Sequence, residues 1–173
     1  VQVNPNPTVT SATTKTICSG SNVSYTPTSN VAGATFTWTA SVTSGTVSGF
    51  TPSGSGNIND ILSVPVGSAT SGQVTYVITP HGPAPTSCTG NPLNLVVTVN
   101  PTPTVTNASL SQSICAGTTT APVAFTSNVA STTFTWTAAA TIGLSGYPAS
   151  GSGNLPAMTI SSSLMGIGTI QYT

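Results

Sequence analysis

Setting hydroxyls aside, the side chains able to do chemistry are Lys15, Asp60, His81 and the thiols of Cys18, Cys88 and Cys115. Hydrolysing a glycoside by the usual route takes two carboxylates, and this chain has one. A Ser-His-Asp relay could recruit only His81 and Asp60. His81 stands in PHGPAP, a proline-rich stretch that reads as a loop, and Asp60 stands in NIND. No Cys-x-x-Cys spacing or neighbouring His supports zinc, and no cluster of carboxylates supports calcium. SGSGN, at 53–57 and again at 150–154, has neither the Lys of a phosphate loop nor a helix pattern behind it, so it reads as a turn. These residues predict no catalysis, no metal and no cofactor.

Charge narrows the partners. Only 1% of residues are charged, against about 25% in an ordinary soluble domain. Without a basic patch there is nothing to hold phosphate, which argues against nucleic acid. The longest apolar runs are strand-sized, so no direct membrane insertion is expected. So little charge makes a free globule a poor colloid, and the chain reads better as a link in a tethered polymer.

The elements that would position these groups are strands. Thr, Val and Ile are dense, with Gly and Pro at intervals, and the fold class is all-β. VQVNPNPTVT at 1–10 returns as VTVNPTPTVT at 97–106. Pro fixes φ and lacks a ladder donor, so Asn-Pro-x-Pro breaks each alternating run into two strands and a stiff joint. Phased on that joint, ICSG, SNVA, TFTWTA, SGF, SGSGN and QVTY in the first half answer to ICAG, SNVA, TFTWTA, SGY, SGSGN and TIQY in the second. The cysteines are 97 residues apart, the tryptophans 98 and the last tyrosines 96. Tandem immunoglobulin-like β-sandwich repeats follow: residues 1–4 end a preceding repeat, 5–100 form a complete one, and 101–173 form a second that lacks its last strand. A chain that starts without Met inside a repeated phrase is expected to be an interior piece of something longer.

Period-two alternation assigns faces. Phe36 and Trp38 point inward, with Thr35, Thr37 and Thr39 outward, and Phe134 and Trp136 repeat the arrangement. Val74, Tyr76 and Ile78 form another inner set, answered by Tyr172, as do Leu93, Leu95, Val97 and Val99, the pair Val23 and Tyr25, and Leu62, Val64 and Val66. Burying one indole contributes about 2–3 kcal/mol. With almost no charge to guard sheet edges, prolines, tight loops and neighbouring domains are expected to protect them.

The words ICSG, TFTWTA, SGSGN, YVITP and VTVNPTP resemble the PKD-like repeats of giant surface proteins in Bacteroidetes, among them gliding-motility adhesins exported by the type IX route. The resemblance implies an extracellular, cell-surface β-sandwich used in arrays as a stalk, adhesin or filament. Its partners would be neighbouring repeats of the same chain, and beyond those a surface polysaccharide or lateral copies of itself. The alternative is a carbohydrate-binding accessory module of a secreted multidomain enzyme. Phe50 and Tyr147, one loop position in both copies, are the candidate sugar contacts, though covering the end of a core is their plainer role.

The repeat also orders the thiols. Cys18 and Cys115 are one position in two copies, and Cys88 lies in the part the second copy lacks. A Cys18–Cys88 disulfide bond is therefore expected, with Cys115 pairing beyond the chain end. Closing that loop would contribute about 4 kcal/mol and would indicate an oxidising compartment. It requires Cα atoms within about 7 Å, whereas the turns bearing these residues lie at opposite poles of a simple sandwich, which leaves free thiols as the other reading. The joint Asn100-Pro101-Thr102-Pro103 is the candidate functional linker. Asn22-Val23-Ser24 and Asn107-Ala108-Ser109 match the N-glycan sequon, but no glycan is expected in a bacterial setting.

Overall fold

A computed structural model describes residues 3–108 and 110–173. The opening phrase at Val1 and Gln2, and Ser109 at the end of the second sequon, lie outside the described residues. The described elements are all strands, and the chain divides into two compact units, Val1–Thr102 and Pro103–Thr173.

In unit 1 the strands are β1 (Thr14–Cys18), β2 (Ser21–Asn22), β3 (Thr35–Ser44), β4 (Ser53–Ser55), β5 (Ile61–Leu62), β6 (Gly72–His81) and β7 (Leu93–Asn100). One sheet runs β1-β7-β6-β3-β4. Every pair in it is antiparallel except β1 with β7, which are parallel from Thr14 opposite Val96 to Cys18 opposite Asn100. The facing layer is more irregular. It consists of the antiparallel β2–β5 pair, extended by single bridges between Tyr25 and Ile58, Ser48 and Ser63, and Val9 and Ser29.

Alternation decides what lies between the layers. Along β6, Val74, Tyr76 and Ile78 are fully buried while the intervening residues are half-exposed, and Leu95, Val97 and Val99 on β7 are buried likewise. Trp38 from β3 and Val23, Ile58 and Leu62 from the second layer complete a single core. Val66 departs from the inner set assigned to it. It is fully exposed, because the strand has already ended in the Pro65 turn, closed by Ser68 N–H donating to the Pro65 carbonyl. The sheet's edges are short: three-residue β4 and five-residue β1, the latter carrying the chain's one lysine. Brevity and an edge Lys are ordinary protection against edge-to-edge pairing.

Unit 2 has β8 (Thr135–Ala140), β9 (Leu144–Ser145), β10 (Ser150–Ser152), β11 (Ser161–Ser162) and β12 (Ile170–Tyr172). Its larger sheet runs β10-β8-β12, and β9 pairs with β11. Registers recur between units: Trp38 faces Gly54 as Trp136 faces Gly151, and Ala40 faces Tyr76 as Ala138 faces Tyr172.

SGSGN is not the turn that its glycines suggest. Its Ser-Gly-Ser forms β4 in one unit and β10 in the other, laid across the tryptophan strand. Gly49 and Gly146, in SGF and SGY, do need glycine, at φ of 89° and 90°.

Candidate functional site

The polar groups singled out above are scattered rather than convergent. Asp60 accepts hydrogen bonds from Thr51 N–H (2.9 Å), the Thr51 hydroxyl (2.8 Å) and the Tyr76 hydroxyl (2.7 Å). That carboxylate stitches the Phe50 loop to the core. Burial, the bond to Asp60 and that residue's negative charge, in that order, push the Tyr76 phenol well above its ordinary range. His81 stands on the opposite face of β6 from Tyr76, its ring beside the hydroxyls of Thr37 (2.9 Å) and Thr89 (3.3 Å). The Lys15 ammonium donates to the Ser24 carbonyl at 2.9 Å. Asp60 and His81 do not meet, and no nucleophile lies between them in relay geometry. In unit 2 the position of Asp60 is held by Ala157.

The expected Cys18–Cys88 bridge is corrected by the sheet. Cys18 ends β1 beside Asn100, whereas the Cys88 carbonyl accepts from Gly82 N–H, beyond the far end of β6. The ten residues of β6 run from one pole to the other, about 30 Å, several times what a disulfide spans. All three thiols are free, and Cys18 and Cys115 are exposed.

Trp38 and Tyr76 meet edge-on with ring centroids 5.5 Å apart, and Trp136 and Tyr172 meet at the same distance. Phe36 is half-buried against the core of unit 1, and Phe134 packs on Phe125 at 5.3 Å. Trp136 Nε1 donates to the Gly153 carbonyl at 3.2 Å, whereas Trp38 Nε1 is buried with no such partner. Phe50 lies partly buried against the core rather than on an open platform, and Tyr147 is half-buried. Among the described residues no three His, Cys, Asp or Glu side chains cluster, and no helix is long and apolar enough to cross a membrane.

What the topology does single out is the pairing of the strand that opens the main sheet with the strand that leaves it. The chain enters at the pole where fully buried Pro7 lies against Gly90, near the start of β7. It leaves at Asn100, at the opposite pole. Hydrogen bonds bracket the pair, from Val96 N–H to the Thr13 carbonyl (2.9 Å) and from Ser19 N–H to the Asn100 carbonyl (2.8 Å). The Asn100 side-chain oxygen also accepts from the Ser71 hydroxyl at 2.8 Å, so the first residue of the Asn100–Pro103 joint is anchored in the sheet. Tension applied at the two ends of this unit would load the β1–β7 bonds together, in shear, because parallel strands cannot be peeled one bond at a time when pulled from opposite poles. Alternation revealed which faces of these strands are buried, but not which strands pair.

No curated protein matches the chain. A family model described as the PKD-like domain matches residues 15–103, a little over half of the sequence. The match runs from within β1 through the whole of β7 and into the joint, so it takes in the strands that build the main sheet. PKD-like domains serve as structural and binding modules of extracellular proteins, typically without catalysis. With an all-β, immunoglobulin-like sandwich and a match over more than half of its length, the chain belongs to the PKD-like domain family.

Proposed function

We propose that this chain is a non-catalytic, load-bearing spacer: tandem repeats in the stalk of a long secreted cell-surface adhesin or filament. The observation that carries the reading is the parallel β1–β7 pair, which joins the entering and leaving strands of unit 1 from Thr14 opposite Val96 to Cys18 opposite Asn100. A spacer has to resist extension between its ends, and a shear-loaded pair is the geometry that does so.

The placement of polar groups supports the same reading. Asp60, His81 and Lys15 each bind loop or strand atoms of unit 1. The recurrence of word order and strand register between the units supports a tandem array, with Asn100-Pro101-Thr102-Pro103 as its stiff joint and neighbouring repeats as its first partners. The further expectations of cell-surface display, type IX export and gliding motility rest on the resemblance in wording. The sugar-binding alternative is weakened by Phe50, which is turned against the core.

Single-molecule extension tests the proposal. Unit 1 should resist to a distinctly higher force than a variant whose β1–β7 pair is broken, and equal forces would remove the basis for a load-bearing role.

A further inference from the structure

The segment that enters unit 1 belongs to two layers in turn. Val9 bridges to Ser29 in the second layer, and from Thr14 the same segment runs as β1 in the main sheet. Main-chain bonding supplies only part of the first attachment, chiefly Thr10 N–H donating to the Thr28 carbonyl at 2.8 Å. Side chains supply the rest. Thr8 N–H donates to Asn30 Oδ1 at 2.7 Å. The Ser11 hydroxyl accepts from Thr28 N–H at 3.3 Å and meets the Tyr25 hydroxyl at 2.6 Å, and Tyr25 in turn donates to the Ala12 carbonyl at 2.7 Å. Tyr25 is 7% exposed and packs in the core, so its phenol is a fixed post. Lys15 adds a last hook, to the Ser24 carbonyl.

Unit 2 makes the same attachment with different chemistry. Position 25 is Val123 there, placed by its bridge to Leu155 as Tyr25 is by its bridge to Ile58, and valine has no hydroxyl to offer. The entering segment makes good the loss. Asn107 follows Thr106 as Ser11 follows Thr10, and its longer side chain accepts from Thr126 N–H at 2.9 Å and donates to the Ala124 carbonyl at 2.8 Å. Gln112 precedes Cys115 as Lys15 precedes Cys18. It reaches Ala121, the counterpart of Ser24, through both amide atoms at 2.9 Å. Thr104 N–H donates to Asn128 Oδ1 at 2.7 Å, as Thr8 does to Asn30. Different side chains thus fasten the same points of the chain in both units.

We propose that residues 8–12, and 104–107 in unit 2, are a side-chain clasp that fastens the entering segment to the second layer and opens and closes separately from the main sheet. In unit 1 the clasp's bonds run to residues 25–30, whereas the ladder of β1 runs to β7. The two attachments share no bonding partner, which is what lets neighbouring segments of one fold open independently. Tension entering unit 1 from its amino-terminal side meets residues 8–12 before it meets β1. The clasp is therefore loaded first, and the β1–β7 pair only once it has yielded. That role under load rests on the spacer reading, while the clasp itself does not.

Amide hydrogen exchange on the intact 173-residue chain tests it. Tyr25→Phe removes the hydroxyl and leaves the ring in the core, so the fold is kept. It should speed exchange at Thr10 and Thr28 by about tenfold and leave the β1–β7 ladder and Ser19 unchanged. Asn107→Ala should do the same at Thr126 in unit 2. Lys15→Gln should exchange as the unaltered chain does, since Gln112 already fills that role, whereas Lys15→Met should loosen the segment about Ser24. Unchanged exchange at Thr10 and Thr28 in Tyr25→Phe, or acceleration of the β1–β7 ladder by the same factor, would overturn the proposal. Exchange is measured without load, so its failure would leave the force comparison above standing, and failure of that comparison would leave the clasp standing.

Discussion

Gly54 lies flat against the indole of Trp38: a Cβ there would come within 2.7 Å of the ring's Cη2, and Gly151 stands to Trp136 at the same distance. The glycine of Ser-Gly-Ser is thus the floor of the tryptophan site, and the pairing of β4 with β3 requires it. Gly54→Ala should destabilise unit 1 by about 1–3 kcal/mol, the usual cost of forcing extra volume into a packed core. Urea unfolding followed by tryptophan fluorescence would measure it. Gly56→Ala makes the comparison, since a Cβ at Gly56 meets open space and its cost would come from φ alone.

Alkaline pH should weaken the fold. Burial, followed by Asp60, raises the Tyr76 phenol, and burial followed by Tyr147 raises that of Tyr172. Tyrosine in the unfolded chain ionises near pH 10, while the folded state holds these protons longer, so the unfolded state binds fewer protons above that pH. The stabilisation is fully present below about pH 10 and is lost as pH rises above it. Phenolate absorbance should show Tyr76 titrating only as the protein unfolds. Tyr76→Phe should remove one late-titrating group.

The thiols should prove dispensable to stability. With Cys18 and Cys88 at opposite poles, the double change to Ser should cost less than about 0.5 kcal/mol, as at ordinary surface positions. Loss of a bridge closing that loop would instead cost about 4 kcal/mol. Alkylation of the native chain followed by mass measurement should find Cys18 and Cys115 modified.

Much of the fold could be read from residue order. The alternation of TFTWTA and QVTYVIT points Trp38 and Tyr76 inward, and the Asn-Pro-x-Pro phrase marks a break at which the structure also divides the chain. Pairing could not be read the same way, because a period of two assigns faces and not neighbours. The parallel partnership of β1 with β7 left no trace beyond the modest alternation of TKTIC. Gly54 was obscured for a related reason: a glycine that admits an indole and a glycine that turns a chain look alike in sequence. The Cys18–Cys88 pairing came from repeat arithmetic, which identifies equivalent positions only, whereas the opposite poles that a simple sandwich assigns to their turns are where the sheet places them.

Pulling a single molecule by its ends tests the central claim most directly. The β1–β7 pair should give unit 1 a distinct high-force rupture that releases the chain between Thr14 and Asn100, about 30 nm at full extension. Unit 2, which has no such pair among its described strands, should yield at lower force. Lys15→Pro, which removes a ladder donor from β1, should bring the high-force event down toward that of unit 2. A rupture force unchanged by Lys15→Pro, or no event distinguishing unit 1 from unit 2, would contradict the load-bearing account.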